Sequence, residues 1–232
     1  MPFLKNINNE IVLYIHIPKT AGTSLKNSLR KDVELIFNVE HMKDFPCPPQ
    51  HFHFDLLKQL GFTQLCQRHF TITRHPIDRF ISEFSYRKKI DAKFRYINLT
   101  TFFIFCKTVY PKHRYLLANH IRPQSDFVGE NTEVFKLEDG LESVLCKFKS
   151  LFEENAPRMP RKNTSNSNLI EIDAKTFMEI REFYNEDFKK FKYEADATTA
   201  KVTSHKKLNY FVSYVLAKLL VIVFKITKLN SH

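Results

Sequence analysis

Two polar turns in the sequence carry residues whose types and spacing suit the binding of an anion. The first, HIPKTAGTS at 16–24, follows the β-rich apolar run IVLYIHI and leads into a segment with helical spacing. The N–H groups at the start of a helix have no carbonyl partner within it, and the helix dipole is positive there, so a phosphate or sulfate oxygen is a natural ligand. The candidate ligands of this turn are Lys19, Thr20, Ala21, Gly22, Thr23 and Ser24.

The second turn lies within TITRHPIDRFISEFSY at 71–86, where Arg74 ends an apolar strand and Ser82 follows eight residues later. A guanidinium recognises a phosphate through two parallel hydrogen bonds, and the Ser82 hydroxyl can add a further donor. An ion pair with an acidic neighbour such as Asp78 is the alternative, and it is the favoured explanation for Arg79. Two anion sites at the ends of two strands fit a nucleotide that is phosphorylated at two positions.

A nucleoside-triphosphate P-loop is the obvious competitor for the first turn. That motif needs GxxxxGK[ST], in which lysine directly follows glycine. The chain contains four glycines and no Gly-Lys pair, and Lys19 precedes Gly22. The absence of this motif argues against ATP binding. An ordinary polar turn between a strand and a helix stays possible.

Length, charge and cysteine content limit the remaining possibilities. The 232 residues suit one domain with or without an appendage, and 43% hydrophobic residues can form a sizeable core. A net charge of +11 favours an anionic partner: a nucleotide, an acidic glycan, a nucleic acid or a membrane surface. The four cysteines form no CxxC pair, so we expect them to be reduced and packed. Residues 1–18 lack the order of a secretory signal, and a cytoplasmic location is expected.

Strand-like and helix-like segments alternate along the chain, which is typical of an α/β protein with a parallel sheet. The predicted strands are 11–17, 33–39, 70–73 and 133–138, and the predicted helices are 24–30, 77–89, 99–121, 139–152 and 174–192.

The tail at 200–232 differs from the domain predicted at 1–199, since it holds six lysines and no acidic residue. Its apolar stretch 208–229 is interrupted by Lys218, and a lysine near the middle of a membrane span costs about 2.5–3.5 kcal/mol. Lys218, Lys225 and Lys228 share one face of a helix. A helix lying in an anionic membrane interface and a helix packed on the domain or on a second subunit both fit this pattern, and a true membrane span is the third, less favoured alternative.

The two turns together resemble the carbohydrate sulfotransferases, most closely the heparan sulfate 2-O- and 6-O-sulfotransferases. HIPKTAGTS is similar to their 5′-phosphosulfate loop, and RHPIDRFISEF is similar to their 3′-phosphate motif. The resemblance implies a P-loop-like three-layer α/β fold, with a central parallel sheet flanked by helices. It also implies the donor 3′-phosphoadenosine 5′-phosphosulfate (PAPS), the product adenosine 3′,5′-bisphosphate (PAP) and no metal. By this resemblance, Lys19 to Ser24 hold the phosphosulfate, and Arg74 and Ser82 hold the 3′-phosphate.

The resemblance also assigns a general base. In this family a histidine between the two motifs, in an HxxF setting, removes the proton from the acceptor hydroxyl, and His51-Phe52-His53-Phe54 matches that setting. His51 takes the catalytic place, and Lys19 follows the charge on the departing phosphate. His53 would point the same way on an extended segment and help to bind the acceptor. The other histidines considered are expected to be structural: His16, His41, His69 and His75.

Weaker similarities extend the resemblance over about residues 10–195. The loop PRKNTSNS resembles the family's late nucleotide-gripping loop and implies that Lys162, Asn163 and Thr164 touch the donor, although a solvated basic loop explains them equally well. The chain is short for the family, shows no N-terminal membrane anchor like that of the animal enzymes and contains no tryptophan. A bacterial or viral surface glycan, or a small glycan precursor, is therefore the expected acceptor.

The sequence thus predicts a sulfotransferase that uses PAPS and acts on a glycan or another hydroxyl-bearing acceptor, either neutral or acidic, rather than on a nucleic acid. Two alternatives stay open: a nucleotide-dependent kinase, and a non-catalytic basic module that binds nucleic acid or a membrane. Peripheral membrane contact of the predicted sulfotransferase through 208–229 is also an open alternative.

Overall fold

The computed structural model describes residues 3–5, 9–29, 34–37, 42–43, 45–66, 68–147, 170–196 and 198–229. The chain divides into two compact units, each made of two segments. The first unit comprises Met1–Arg74 and Leu117–Asn166, and the second comprises His75–Leu116 and Ser167–His232.

A five-stranded sheet forms the centre of the first unit. Its strands are β1 (Phe3–Lys5), β2 (Ile11–Tyr14), β3 (Glu34–Ile36), β4 (Arg68–Thr73) and β5 (Thr132–Lys136), in the order β3-β1-β2-β4-β5. The pairs β2–β4 and β4–β5 are parallel, whereas β1 is antiparallel to both β2 and β3. Four of the five strands therefore run in one direction, and the predicted parallel sheet is correct except for β1.

Helical segments cover both faces of this sheet. On one face, Leu25 of α1 (Gly22–Leu29) and Val144 of α5 (Leu141–Lys147) join a core with Val12, Phe70 and other strand residues. On the other face, the Phe3 ring contacts Phe62 of a 3₁₀ turn at a centroid distance of 5.4 Å. The short helix α2 (Phe54–Gln59) follows the same side, where the Phe54 ring lies 6.5 Å from that of His69. The first unit is therefore a mixed α/β structure with helices on both sides of its sheet.

Helices dominate the second unit. They are α3 (Pro76–Ile90), α4 (Leu99–Val109), α6 (Ala174–Phe183), α7 (Asn185–Phe191) and α8 (Lys207–Leu229), and the unit also contains a parallel pair, β6 (Glu171–Asp173) and β7 (Lys201–Thr203). Two helix starts have side-chain caps: Asn98 accepts from the N–H of Thr101 at 2.8 Å, and Asp173 accepts from the N–H of Lys175 at 3.0 Å. Pro76 occupies the first turn of α3, where its missing N–H costs nothing.

Two predicted helices were too long. The helix predicted over 99–121 ends at Val109, because Pro111 has no N–H to bond back to the preceding turn. The segment predicted as one helix over 174–192 is divided between α6 and α7, because Tyr184 leaves helical backbone angles, with φ −105° and ψ 24°.

The remaining predicted elements were found with shifted ends. The strand predicted over 33–39 is described only at Glu34–Ile36, and the last part of the helix predicted over 139–152 lies outside the described residues. The tail at 200–232 contains the long helix α8, at Lys207–Leu229. The strands β1, β6 and β7 have three residues each, too few for a recognisable alternation of side chains.

Three of the four cysteines, Cys47, Cys66 and Cys106, are free and buried, as predicted. Burial raises the pKa of the Cys47 thiol to about 12 and that of Cys66 to about 11. The side chain of Cys146 lies outside the described part of the chain.

Candidate anion-binding and catalytic site

The turn after β2 has a backbone shaped by two residues in the left-handed region, Lys19 with φ 72° and Ala21 with φ 64°. The helix α1 then begins at Gly22, and the N–H of Leu25 donates to the carbonyl of Ala21 at 3.0 Å. The N–H groups of Gly22 and Thr23 precede this first helical hydrogen bond. The turn therefore directs backbone N–H groups and the positive end of a helix dipole towards one place, as the sequence predicted.

The three hydroxyl groups of this turn differ in their surroundings. Thr20 is fully buried, and its hydroxyl donates to the carbonyl of Ile17 at 2.8 Å, which closes the turn. Thr23 and Ser24 are exposed on the first turn of α1. Thr20 thus has a structural contact in addition to its predicted role, while the other two hydroxyls lie at the surface.

Gly22 allows His16 to approach the turn closely. A Cβ atom at position 22 would overlap the imidazole of His16, mainly at Nε2. Gly22 does not have a positive φ, so any residue could adopt its backbone conformation. Glycine is needed here because of the space that His16 occupies.

Arg74 lies beside this turn. It follows β4, and its Nη1 donates a long hydrogen bond of 3.4 Å to the carbonyl oxygen of Lys19. Because β2 and β4 are parallel neighbours, their carboxyl ends meet at the same edge of the sheet. The structure therefore brings together the Lys19 turn and Arg74, 55 residues apart in sequence.

A buried glutamine fixes the backbone of Arg74. The N–H of Arg74 donates to Oε1 of Gln124 at 2.9 Å, and Nε2 of Gln124 donates to the carbonyl of Arg74 at 2.8 Å. Gln124 is completely buried. It was not identified from the sequence, because nothing in PQSDF marks a glutamine that bonds a residue 50 positions earlier.

His51 lies in the same unit, buried, at the end of the 3₁₀ turn Pro49–His51. Its Nδ1 lies 3.0 Å from the carbonyl oxygen of Ala118. A carbonyl can only accept a hydrogen bond, so Nδ1 carries the proton and Nε2 keeps its lone pair. Burial, followed by the neighbouring His120 and His16, holds the pKa of His51 well below its usual 6.5. His51 is therefore neutral at neutral pH and has the tautomer that a base needs.

Three imidazoles form a cluster around this group, namely His16, His51 and His120. The ring centroids are 5.6 Å apart for His16 and His51, and 4.6 Å apart for His51 and His120. Burial is the largest cause that lowers the pKa of His16, to about 3, and the charges of His120, Lys19 and Lys26 act in the same direction. Among the described residues, no group of three or more His, Cys, Asp or Glu is arranged to hold a metal ion.

The expected structural role of His16 is therefore incomplete, because its ring contacts that of His51 and lies against Gly22. His120 was missed altogether. It belongs to no motif, and only the path of the chain after α4 brings it to His51.

A left-handed segment, with positive φ at Leu117, Ala118 and Asn119, directs this part of the chain at His51. Ala118 supplies the carbonyl that accepts from Nδ1 of His51, and Nδ2 of the buried Asn119 donates to the carbonyl of His51 at 2.7 Å. Oδ1 of Asn119 accepts from Nε of Arg122 at 2.7 Å. Consecutive non-glycine residues in this region are strained, so packing and these bonds must maintain it.

His53 is buried at the N-terminus of α2, and burial, followed by the charge of Arg122, lowers its pKa to about 4. The argument that His51 and His53 share one extended segment was wrong, because His51 belongs to a 3₁₀ turn and the extended backbone begins at Phe52. A role for His53 in acceptor binding stays a prediction.

The other predicted donor contacts lie elsewhere in the chain. Ser82 is half-buried on α3 in the second unit, and its assignment to the 3′-phosphate stays a prediction. The guanidinium of Arg79, in the same unit, is buried 5.2 Å from the centre of the Tyr184 ring. Lys162, Asn163 and Thr164 lie outside the described residues.

A family model described as the sulfotransferase family matches residues 7–194. No curated protein and no solved structure matches the chain significantly.

Proposed function

The chain belongs to the sulfotransferase family, and on this premise we propose that it transfers a sulfuryl group from PAPS to a hydroxyl of a carbohydrate acceptor. The family match supports sulfuryl transfer in general. The observation that carries the choice of donor is the contact between Arg74 and the Lys19 turn, because it joins two anion-binding groups at one edge of the sheet.

The residues around the turn fit a donor with negative charge at two ends. Backbone N–H groups at the start of α1, with the ammonium of Lys19, suit the 5′-phosphosulfate, and the guanidinium of Arg74 suits the 3′-phosphate. Lys19 and Lys26 lie close enough to His16 for their charges to act on it, so the turn has an electropositive environment. When bound, PAPS supplies an activated sulfuryl group attached to a phosphate that can leave.

His51 is the proposed general base. Its Nε2 lone pair accepts the proton as the O–H bond of the acceptor breaks and the oxygen attacks sulfur. Nδ1 then remains hydrogen-bonded to the carbonyl of Ala118, which stabilises the imidazolium that forms. Low solvent exposure keeps this imidazole unprotonated beforehand, so the base is ready at neutral pH.

Lys19 and the backbone of the turn have the complementary role. Negative charge develops on the departing phosphate, and fixed N–H groups with a nearby ammonium stabilise it without reorganisation of solvent. We assign Thr20 to Ser24 to the 5′ side of the donor, Ser82 to the 3′-phosphate and His53 to acceptor binding, on the motifs that these residues occupy.

The carbohydrate acceptor rests on the resemblance to glycan sulfotransferases alone. Incubation with ³⁵S-labelled PAPS and a panel of neutral and acidic glycans tests it directly. Label should appear in a glycan in the wild-type reaction and be absent with His51→Ala. Transfer to protein tyrosine but to no glycan would contradict the proposed acceptor and leave the donor unaffected.

A thermal-shift comparison of PAP with ATP separates this function from that of a kinase. Saturation about 100-fold above the dissociation constant adds about 2.7 kcal/mol to stability, which corresponds to roughly 5–10 °C in Tm for a chain of this size. PAP should produce such a shift, and ATP should produce almost none. Arg74→Ala is the matched control and should remove most of the PAP shift. A larger shift with ATP than with PAP would contradict the proposal.

A further inference from the structure

The helix α8 has two apolar faces, and the second unit uses only one of them. Ser213, Ala217 and Val221, spaced four residues apart, are buried where α8 packs along α4. Nδ2 of Asn98 donates to Oγ of Ser213 at 3.1 Å, and the ring of Phe224 lies 5.8 Å from that of Phe105. The packing of this inner face agrees with one of the arrangements that the sequence allowed for the tail, a helix packed on the domain.

The opposite side of α8 is apolar, and none of the residues that the structure describes covers it. We define it as the outer face, whose residues are Leu208, Phe211, Val212, Val215, Leu219 and Ile222. Their spacing of three and four residues places them on one side of the helix. Leu208 is 73% exposed and Phe211 is 63% exposed, so the outer face is in contact with solvent. A continuous apolar face of this kind marks an interaction surface.

A row of lysines borders the outer face. Lys207, Lys218 and Lys225 are 11 and 7 residues apart, about three and two helical turns, so they follow one edge of it. No acidic residue occurs anywhere in 197–232. An apolar face with cations at its edge and no carboxylate matches a surface of lipid tails beneath anionic headgroups.

We propose that the outer face of α8 binds the interface of an anionic lipid bilayer, with Lys207, Lys218 and Lys225 contacting lipid phosphate or carboxylate groups. The helix lies along the membrane surface while its inner face stays packed on α4.

The contacts of α8 favour this orientation over a membrane span. Lys207–Lys225 is long and apolar enough to cross a bilayer by length and composition. A span, however, would separate the inner face from α4 and break the hydrogen bond of 2.7 Å from the Tyr210 hydroxyl to Glu179. It would also place Lys218 within the hydrocarbon, where a charge is unfavourable.

Charge also favours lipid over a second copy of the chain. Two outer faces packed together would bring two rows of lysines to one interface, and α8 offers no carboxylate to pair with them. An anionic membrane supplies the opposite charge along the whole row.

Flotation of the full chain with vesicles tests the proposal. Vesicles of phosphatidylcholine with phosphatidylserine should carry the protein upwards, and vesicles of phosphatidylcholine alone should not. Lys218→Gln combined with Lys225→Gln should lower partitioning onto anionic vesicles about 25-fold, since each lysine near such a surface contributes about fivefold. The control Lys58→Gln with Lys89→Gln removes the same charge elsewhere and should lower it less than about threefold.

A second pair of variants tests the apolar contribution. Phe211→Ser with Leu219→Ser should abolish flotation, because these exposed side chains insert between the headgroups. Leu65→Ser, which removes another exposed leucine, should float like the wild type. Equal binding to both vesicle types, or insensitivity to both α8 pairs, would overturn the proposal. Resistance to alkaline carbonate extraction would show a span, and a dimer that Phe211→Ser dissociates would assign the face to a second copy; either result would also overturn it.

Discussion

Both ends of the Gln124 side chain bond the backbone of Arg74, with Oε1 accepting from its N–H at 2.9 Å and Nε2 donating to its carbonyl at 2.8 Å. This buried pair of bonds fixes the peptide from which the Arg74 guanidinium extends to the Lys19 carbonyl. Gln124 thus acts on the proposed donor site through Arg74, as a positioning residue.

Replacing Gln124 by leucine should weaken PAP binding by about tenfold. The backbone N–H and carbonyl of Arg74 lose their hydrogen-bond partners, so the guanidinium is no longer held in position. Each of the two unpaired backbone groups should also lower the free energy of unfolding by about 1–3 kcal/mol. Calorimetric titration with PAP, below the melting temperature of the variant, measures the affinity. Gln124→Glu retains one acceptor and should fall between the two proteins. Unchanged PAP affinity in Gln124→Leu would show that the bonds serve stability alone.

His51→Ala should lower kcat by about 10²–10⁴ while PAP affinity stays within about twofold, because the imidazole acts on the acceptor proton and not on the donor. Single-turnover kinetics with saturating PAPS and titration with PAP give the two quantities separately. His53→Ala is the matched comparison, for which we expect the acceptor KM to rise more than kcat falls. Normal turnover with weakened PAP binding in His51→Ala would contradict the assignment.

The same residue predicts the pH dependence of the reaction. The pKa of His51 is held well below 6.5, so the neutral base persists as pH falls through that value. The acid limb of kcat/KM, which reports the free enzyme, should therefore lie below pH 6.5. A limb at or above 6.5 would show that His51 is not the base that titrates.

Gly22→Ala should weaken PAP binding strongly, because the added methyl overlaps the His16 imidazole and one of the two must move. The effect should shrink in a His16→Ala background, where the space is free. A double-mutant cycle on PAP affinity measures this coupling, and we expect about 1–2 kcal/mol in favour of the pair. Additive effects would mean that the alanine acts on the turn by another route.

The elements that bear the two anion motifs could be predicted because their information is local. A continuous apolar run such as β2, a polar turn and the spacing of α1 are all contained in about 20 neighbouring residues. The alternation of strands and helices then predicted a parallel sheet, and the structure makes β2 and β4 parallel neighbours in it. This is why the meeting of Lys19 and Arg74 could be expected from sequence.

The support of the site depends on contacts between distant residues and could not be predicted. Ala118 and Asn119 contact His51 across 67 and 68 positions. They belong to a left-handed segment without glycine, the residue that usually indicates this backbone conformation in a sequence. The segment was predicted to be helical because its composition suits a helix. Pro111 stopped that helix, and tertiary contacts selected the backbone angles.

The buried His53 and the half-buried His16 make stability depend on pH. Burial lowers the folded-state pKa of His16 to about 3 and that of His53 to about 4, while both titrate near 6.5 in the unfolded chain. Below pH 6.5 the unfolded state therefore binds more protons, and the free energy of unfolding falls as pH falls towards the folded-state values. The slope is at most about 1.4 kcal/mol per pH unit for each histidine. Urea denaturation between pH 6.5 and about 5 measures this slope. Ordinary carboxylates titrate below this window and therefore contribute little to the slope. His53→Gln should make the slope shallower, and a wild-type stability that does not change over this window would contradict burial of neutral imidazoles.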